Sequence, residues 1–154
     1  MKTPEDLMRH CLYLGHRALE SGNPPVGAIL VYRDKIIGEG IESGKSTGDY
    51  TNHAEILAIR DAIEKGNIEI LSQSTMYSTH EPCVMCSYLI RAYKIATIVY
   101  GTDVKNLGGA SSKYSLLREN KVPNWGDAPL IVPGILEEES MELTKLYEKK
   151  HKGM

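Results

Sequence analysis

Two short segments, Asn52-His53-Ala54-Glu55 and Glu81-Pro82-Cys83-Val84-Met85-Cys86, restrict what this chain can fold into more than anything else in it. They ask the fold to bring one imidazole and two thiols to a single point. Cys2His is an accepted ligand set for zinc, and catalytic zinc sites use three protein ligands with the fourth tetrahedral position left for water. Here the ligands would be His53, Cys83 and Cys86. Glu55 stands too close to His53 to be a natural fourth ligand, and is well placed to handle the protons of a water.

The spacing also predicts local structure. Cys83 and Cys86 share one face of a helix, and Pro82 suits the first helical position, where its missing N–H goes unused. Asn52 is a good N-cap for a second helix over Ala54 to Glu64, whose Ile56, Leu57, Ile59 and Ile63 form an apolar stripe without proline or glycine. Thiols at a helix start incline to the thiolate form. Two positively polarised helix ends therefore meet at one cation, an arrangement that requires the negative charge of the thiolates.

Taken singly, each residue has another reading. Cys-x-x-Cys also serves redox chemistry, and two cysteines with a histidine are three corners of a structural zinc site. Glu55 has the spacing of a capping box with Asn52. Cys11, the only other cysteine, falls on a Leu7, Cys11, Leu14 stripe and reads as core. A non-catalytic zinc-stabilised module thus stays open, weakened by Glu55, which a structural site does not need.

With these residues in view, the chain resembles the cytidine/deoxycytidylate deaminase-like zinc hydrolases, in particular the branch of tRNA adenosine deaminases, guanine deaminases and free-base cytosine deaminases. Besides the two motifs, Pro25-Val26-Gly27-Ala28-Ile29-Leu30-Val31 resembles the first strand of that branch, and Val99-Tyr100-Gly101 and Gly134-Ile135-Leu136 its later strands. The resemblance implies a three-layer α/β/α fold with a central mixed five-stranded sheet and both zinc-bearing helices on one side of it. It implies a bound Zn2+, Glu55 as proton carrier in the hydrolytic release of ammonia from an aminated ring, and substrate held by the backbone N–H groups of Ala54 and Cys83. It also implies a homodimer.

Substrate contacts are expected where the chain departs from the branch. Glu42 stands where relatives carry an asparagine after the second strand. An ionised carboxylate only accepts hydrogen bonds, so Glu42 favours a small guanine-like or aminotriazine-like ring that presents N–H groups, unless it faces solvent. That makes a small aminated heterocycle the first expectation and tRNA adenosine the alternative. Val26, at the head of the first strand, is a further candidate contact. Tyr50 either stacks on the base or covers the mouth of the site. His80 either touches substrate or is a satisfied histidine behind it. Trp125, in Pro123-Asn124-Trp125-Gly126, is a lid or a pin holding its loop to the core. The tail with Lys145, Lys149, Lys150 and Lys152 either meets RNA phosphates or is a solvated helix face paired with Glu142 and Glu148.

The 154 residues suit one domain, residues 1–154, and a net charge of −2 argues against a general polyanion binder. No apolar run approaches a membrane span, the first residues lack the pattern of a signal peptide, and the few cysteines suit a reducing compartment, so a cytoplasmic enzyme without a membrane partner is expected. Helices are expected over Glu5 to Ser21, Ala54 to Glu64, Cys83 to Tyr93, Ser112 to Asn120 and Glu137 to Lys150. Strands are expected over Val26 to Tyr32, Lys35 to Gly40, Thr75 to Thr79, Ala96 to Tyr100 and Leu130 to Val132.

Overall fold

The structure is a computed structural model that describes residues 1–151, so Lys152 of the basic tail lies outside them. Helix α1 (Pro4–Glu20) opens with a capping box between Thr3 and Asp6 and has proline at its start. Strands β1 (Gly27–Tyr32) and β2 (Lys35–Ile41) form a hairpin. Its turn residues Arg33 and Asp34 have φ of 49° and 64°, the left-handed geometry that lets a two-residue loop follow the twist of its strands. A short helix α2 (Gly44–Thr47) leads to α3 (Ala54–Glu64), and a 3-10 turn over Ile68–Gln73 leads to β3 (Thr75–His80). Then come α4 (Val84–Ala92), β4 (Thr97–Thr102), β5 (Leu130–Val132) and α5 (Glu137–His151).

The strands form one mixed sheet in the order β2-β1-β3-β4-β5. β1 runs antiparallel to β2 and β3, while β3, β4 and β5 are parallel. Side chains alternate across it, as the two-residue period of a strand requires. Ala28, Leu30, Met76, Ile98 and Tyr100 face a core shared with α3 and α4; Ile29, Val31, Tyr77 and Val99 face one shared with α1. α5 packs on β4 and α1, which completes the second outer layer. The three-layer architecture expected from the resemblance is present, with both motif helices on one face. Cys11 is fully buried on the inner face of α1, its thiol 3.5 Å from the Tyr77 carbonyl oxygen, so it belongs to the core.

Close approach of α3 to β2 positions the first motif. Gly38 and Gly40 lie against Ala54, Ala58 and Ala62, and a Cβ on Gly40 would fall 2.1 Å from the Ala54 carbonyl oxygen. Small residues on both sides let the helix backbone rest directly on the strand and fix where His53 and Glu55 begin.

Three expectations need correction. His53, not Asn52, is the N-cap of α3; the Asn52 side chain instead bonds Thr47 and Arg60. Pro82 lies outside α4, because Cys83 is extended (ψ 178°) and itself caps that helix. Residues 112–120 form no helix. Their backbone is engaged by tertiary partners, with the Arg91 guanidinium donating to the Leu116 carbonyl and the Leu117 N–H bonding the Gly109 carbonyl.

Candidate active site

His53 and Cys83 are the N-cap residues of α3 and α4, both with extended backbone, and Cys86 follows within the first turn of α4. The His53 Nδ1 lies 3.5 Å from each sulfur, and the sulfurs are 3.8 Å apart. Tetrahedral zinc with Zn–S bonds of about 2.3 Å and Zn–N bonds of about 2.0 Å separates two sulfurs by roughly 3.8 Å and sulfur from nitrogen by roughly 3.5 Å. The triad therefore has the dimensions of three corners of a zinc tetrahedron. It is also the one cluster of His, Cys, Asp and Glu side chains among the described residues that converges on a point in this way.

Charge sharing within the triad supports that reading. Its bond to Cys86 holds the Cys83 thiol down at about 4, with the His53 bond adding to this, while the same Cys83–Cys86 contact and burial push Cys86 well up. The Cys83 bond lifts His53 to about 9 against the opposing effect of burial. The low-lying Cys83 thiolate is an anionic ligand of the kind a divalent metal needs, and zinc binding would release the protons held by His53 and Cys86.

Glu55 is buried beneath the triad. Its Oε1 is 3.7 Å from Cys86 Sγ and its Oε2 accepts a hydrogen bond from the Ser78 hydroxyl at 3.2 Å. Burial raises its carboxyl to about 7, and the Cys83 thiolate adds to the effect while His53 opposes it. A carboxyl titrating in this range can both take and give a proton near neutrality. The contact with Asn52 required for a capping box is absent among the described hydrogen bonds, although the carboxyl lies close enough to its own backbone N–H to be favoured by it.

A cavity of about 510 Å³ opens beside His53 and is lined by Pro24, Glu42, Gly44, Lys45, Gly48, Tyr50, His53 and Tyr147. Glu42 is buried in its wall. One carboxyl oxygen accepts from the Ala54 N–H at 3.3 Å and the other from the Gly44 N–H at 3.2 Å, so it caps α3 in place of a side chain on that helix. Burial raises its pKa, opposed by the charge of His53. The Ala54 N–H is thus occupied by Glu42, whereas no acceptor meets the Cys83 N–H among the described residues. The Val26 carbonyl accepts from the Glu42 N–H at 3.0 Å, and its partly buried side chain packs against the core shared with α3 and α4. Tyr50 is exposed, its ring centroid 5.6 Å from that of His53, so it stands at the mouth. Tyr147 of α5 completes the opposite edge, with Lys45 Nζ 5.8 Å from its ring.

Two candidate contacts do not join this cavity. His80 is bonded at both ring nitrogens, to Thr79 Oγ1 at 2.8 Å and Thr144 Oγ1 at 2.7 Å, and borders a different cavity between β4 and α5. Burial lowers it to about 4, which favours the neutral imidazole. Trp125 is the pin and not the lid. Its ring meets Tyr88 edge-on at 5.6 Å and the Arg91 guanidinium at 5.0 Å, on α4 away from the cavity lining. We expect Trp125→Ala to cost roughly 1 to 2 kcal/mol of stability through these contacts while kcat and KM stay within about twofold; thermal melting and steady-state kinetics on one preparation check both.

Glu81 does more than its place in the second motif suggests. It is buried and accepts from the N–H groups of Val104 at 2.9 Å, Ala110 at 2.7 Å and Ser111 at 2.7 Å, and from the Ser111 hydroxyl at 2.6 Å. The loop after β4 is thereby tied to the residue preceding Pro82, which sets the entry into α4. An acidic residue directly before Pro-Cys was the available signal.

A three-layer α/β/α domain that presents a Cys2His zinc triad and a buried carboxyl from two convergent helix starts is a zinc-dependent hydrolase of the cytidine-deaminase-like architecture. Residues 1–102 match the model for the cytidine and deoxycytidylate deaminase zinc-binding region, and the chain belongs to that family. It is 35% identical over 149 residues to the tRNA-specific adenosine deaminase of Aquifex aeolicus, covering 95% of this chain and 94% of that protein. With tRNA-specific adenosine deaminase 2 of Danio rerio it shares 33% identity over 138 residues, 86% of this chain, and spans 64% of that longer protein. Among solved structures, one from work on A-to-I editing by tRNA:A34 deaminases superposes with a TM-score of 0.81 at 31% identity, covering 89% of this chain and 97% of that one. The guanine deaminase of Nitrosomonas europaea superposes with a TM-score of 0.77 at 21% identity over 97% of this chain and 86% of that one, a likeness of fold. The protein is a zinc-dependent deaminase acting on a nucleobase or nucleoside.

Proposed function

We propose that this deaminase converts adenosine to inosine in a tRNA. The observation that carries the proposal is the 35% identity to a tRNA-specific adenosine deaminase along nearly the full length of both chains. The guanine deaminase resemblance is weaker in sequence and speaks to fold alone. This reverses the order of preference that Glu42 suggested. The geometry is compatible with a large substrate: the cavity is open at Tyr50 and Tyr147, and α5 extends its basic residues Lys145 and Lys149 beside that opening.

When bound by His53, Cys83 and Cys86, zinc supplies the Lewis acidity that makes water a nucleophile near neutral pH. The protein does the rest. Glu55 takes the proton released as water adds to the amine-bearing ring carbon and passes it to the adjacent ring nitrogen, which removes the resonance that protects that carbon. Glu55 then takes the remaining proton from the newly added hydroxyl and delivers it to the exocyclic amine, so that the C–N bond breaks to give ammonia and the hydroxyl oxygen becomes the ring carbonyl. The Cys83 N–H at the start of α4, which meets no acceptor among the described residues, is left free to donate to substrate.

One observation favours the second reading, a small donor-rich ring: the buried Glu42 carboxylate in the cavity wall. Glu42→Gln separates the two, since the amide oxygen can keep the bond to the Ala54 N–H while the charge and the bond to the Gly44 N–H are lost. For a guanine-like substrate that donates to Glu42, kcat/KM should fall roughly ten- to a hundredfold, matching about 1.5 to 3 kcal/mol for a hydrogen bond to a charged group. Adenine presents lone pairs at its ring nitrogens, so deamination of tRNA adenosine should hold steady or rise. Parallel kinetics on tRNA and on guanine with both proteins decide this. Turnover of guanine alone, lost in Glu42→Gln, would overturn the tRNA proposal.

A further inference from the structure

The central strand carries one hydroxyl that packing alone does not call for. Ser78 is fully buried on β3, paired in register with Ala28 of β1 and Tyr100 of β4. Met76, two residues earlier on the same face, belongs to the apolar core beneath α3 and α4. A hydroxyl in such a place is costly unless it is bonded. Its partner is the reacting carboxyl itself, with Ser78 Oγ 3.2 Å from Glu55 Oε2. The other carboxyl oxygen, Oε1, is the one turned toward the metal triad, 3.7 Å from Cys86 Sγ.

We propose that Ser78 is a positioning residue for Glu55. It ties Oε2 to the rigid centre of the sheet and so assigns proton exchange with water, ring nitrogen and departing amine to Oε1. The hydroxyl can donate to Oε2 whether or not Oε1 carries a proton, so the tie persists through both proton transfers. It opposes rotation of the carboxyl that would carry the acid proton to the sheet side. The serine has the whole strand behind it, since its neighbours on both sides are paired, and it holds the carboxyl more firmly than a loop residue could.

The kinetic test rests on the deaminase reading, and a spectroscopic one does not. Ser78→Thr keeps the hydroxyl and adds a methyl group, and Ser78→Val has the shape of that variant with the hydroxyl replaced by a second methyl group, so the two differ only in the hydroxyl. In the zinc-loaded protein, Ser78→Val should lower kcat roughly ten- to a hundredfold with KM, zinc content and melting temperature close to those of Ser78→Thr, which should retain most of the wild-type kcat. Independently of turnover, isotope-edited infrared spectra should show the Glu55 carboxylate stretch, identified by its disappearance in Glu55→Gln, shifted in Ser78→Val and kept in Ser78→Thr. Equal kcat in the Thr and Val variants, a loss of kcat that follows loss of zinc, or a carboxylate band that does not move would each overturn the proposal. If wild-type protein deaminated nothing, the functional reading would fail while the infrared comparison still decided the role of Ser78.

Discussion

Glu55→Ala is expected to fold, bind zinc at the wild-type ratio and lose turnover by about 10² to 10⁴-fold, the range for removing a positioned general acid–base. The structure gives the reason for the separation. The Glu55 carboxyl touches the Cys86 sulfur only from the side, at 3.7 Å, and the three metal-facing atoms keep their triangle without it. The side chain is buried, and burial disfavours its charged form, so its removal relieves a desolvation cost. Stability should change by at most about 1 to 3 kcal/mol, because relief from burying a poorly solvated carboxyl is set against the loss of its bond to the buried Ser78 hydroxyl. The variant is also the control for every ammonia measurement, since a contaminating deaminase would be unaffected by it. Metal analysis, thermal melting and single-turnover kinetics on the same preparation check all three parts.

Cys83→Ala or Cys86→Ala should fail differently, losing metal, activity and stability together. The triad joins the starts of α3 and α4, and zinc binding to the folded state alone adds its binding energy to folding. At free zinc about a thousandfold above Kd this amounts to about 4 kcal/mol, or a fall of roughly 8 to 16 °C in Tm for a domain of this size. The decisive control is a chelator. It should lower the melting temperature of the wild type toward that of either variant and leave the variants where they are. A cysteine variant that melts with the wild type in zinc would mean that the cation does not bridge the two helices.

The parts of this molecule that were legible in its sequence are those set by side-chain periodicity and by donor chemistry. The stripe of isoleucines from Ile56 to Ile63 marked α3, and the β-branched and tyrosine residues of β1, β3 and β4 marked the sheet. His53, Cys83 and Cys86 could be grouped because few chemistries ask for those residues at that spacing. Helix ends were misjudged because their capping depended on tertiary partners. Asn52 had the right chemistry for a cap but spends it on Thr47 and Arg60, and the distant Glu42 supplies the acceptor for Ala54. The segment around 112–120 looked helical by composition. Glu81 and Arg91, brought in from the second motif and α4, take up its flanking N–H groups and carbonyls.

Glu42 and Trp125 illustrate the same limit at the site. The type of residue at 42 left a substrate contact and a solvent-facing side chain both open, and the structure places a buried carboxylate in the wall of the pocket. Its engagement by two backbone N–H groups depends on the turn into α2, which no local pattern encodes. For Trp125 the choice between lid and pin turned on where the loop lands, and it lands on Tyr88 and Arg91. The approach of α5 to the mouth through Tyr147 was equally invisible, because a tyrosine on an exposed helix is ordinary until the helix is docked.

The most direct test of the account is to incubate zinc-loaded protein with unmodified tRNA and quantify ammonia and inosine together. The account predicts one ammonia per inosine formed, at a rate abolished by Glu55→Ala and by removal of the metal. Zinc-loaded wild-type protein that releases no ammonia from tRNA, free nucleosides or free bases would contradict it.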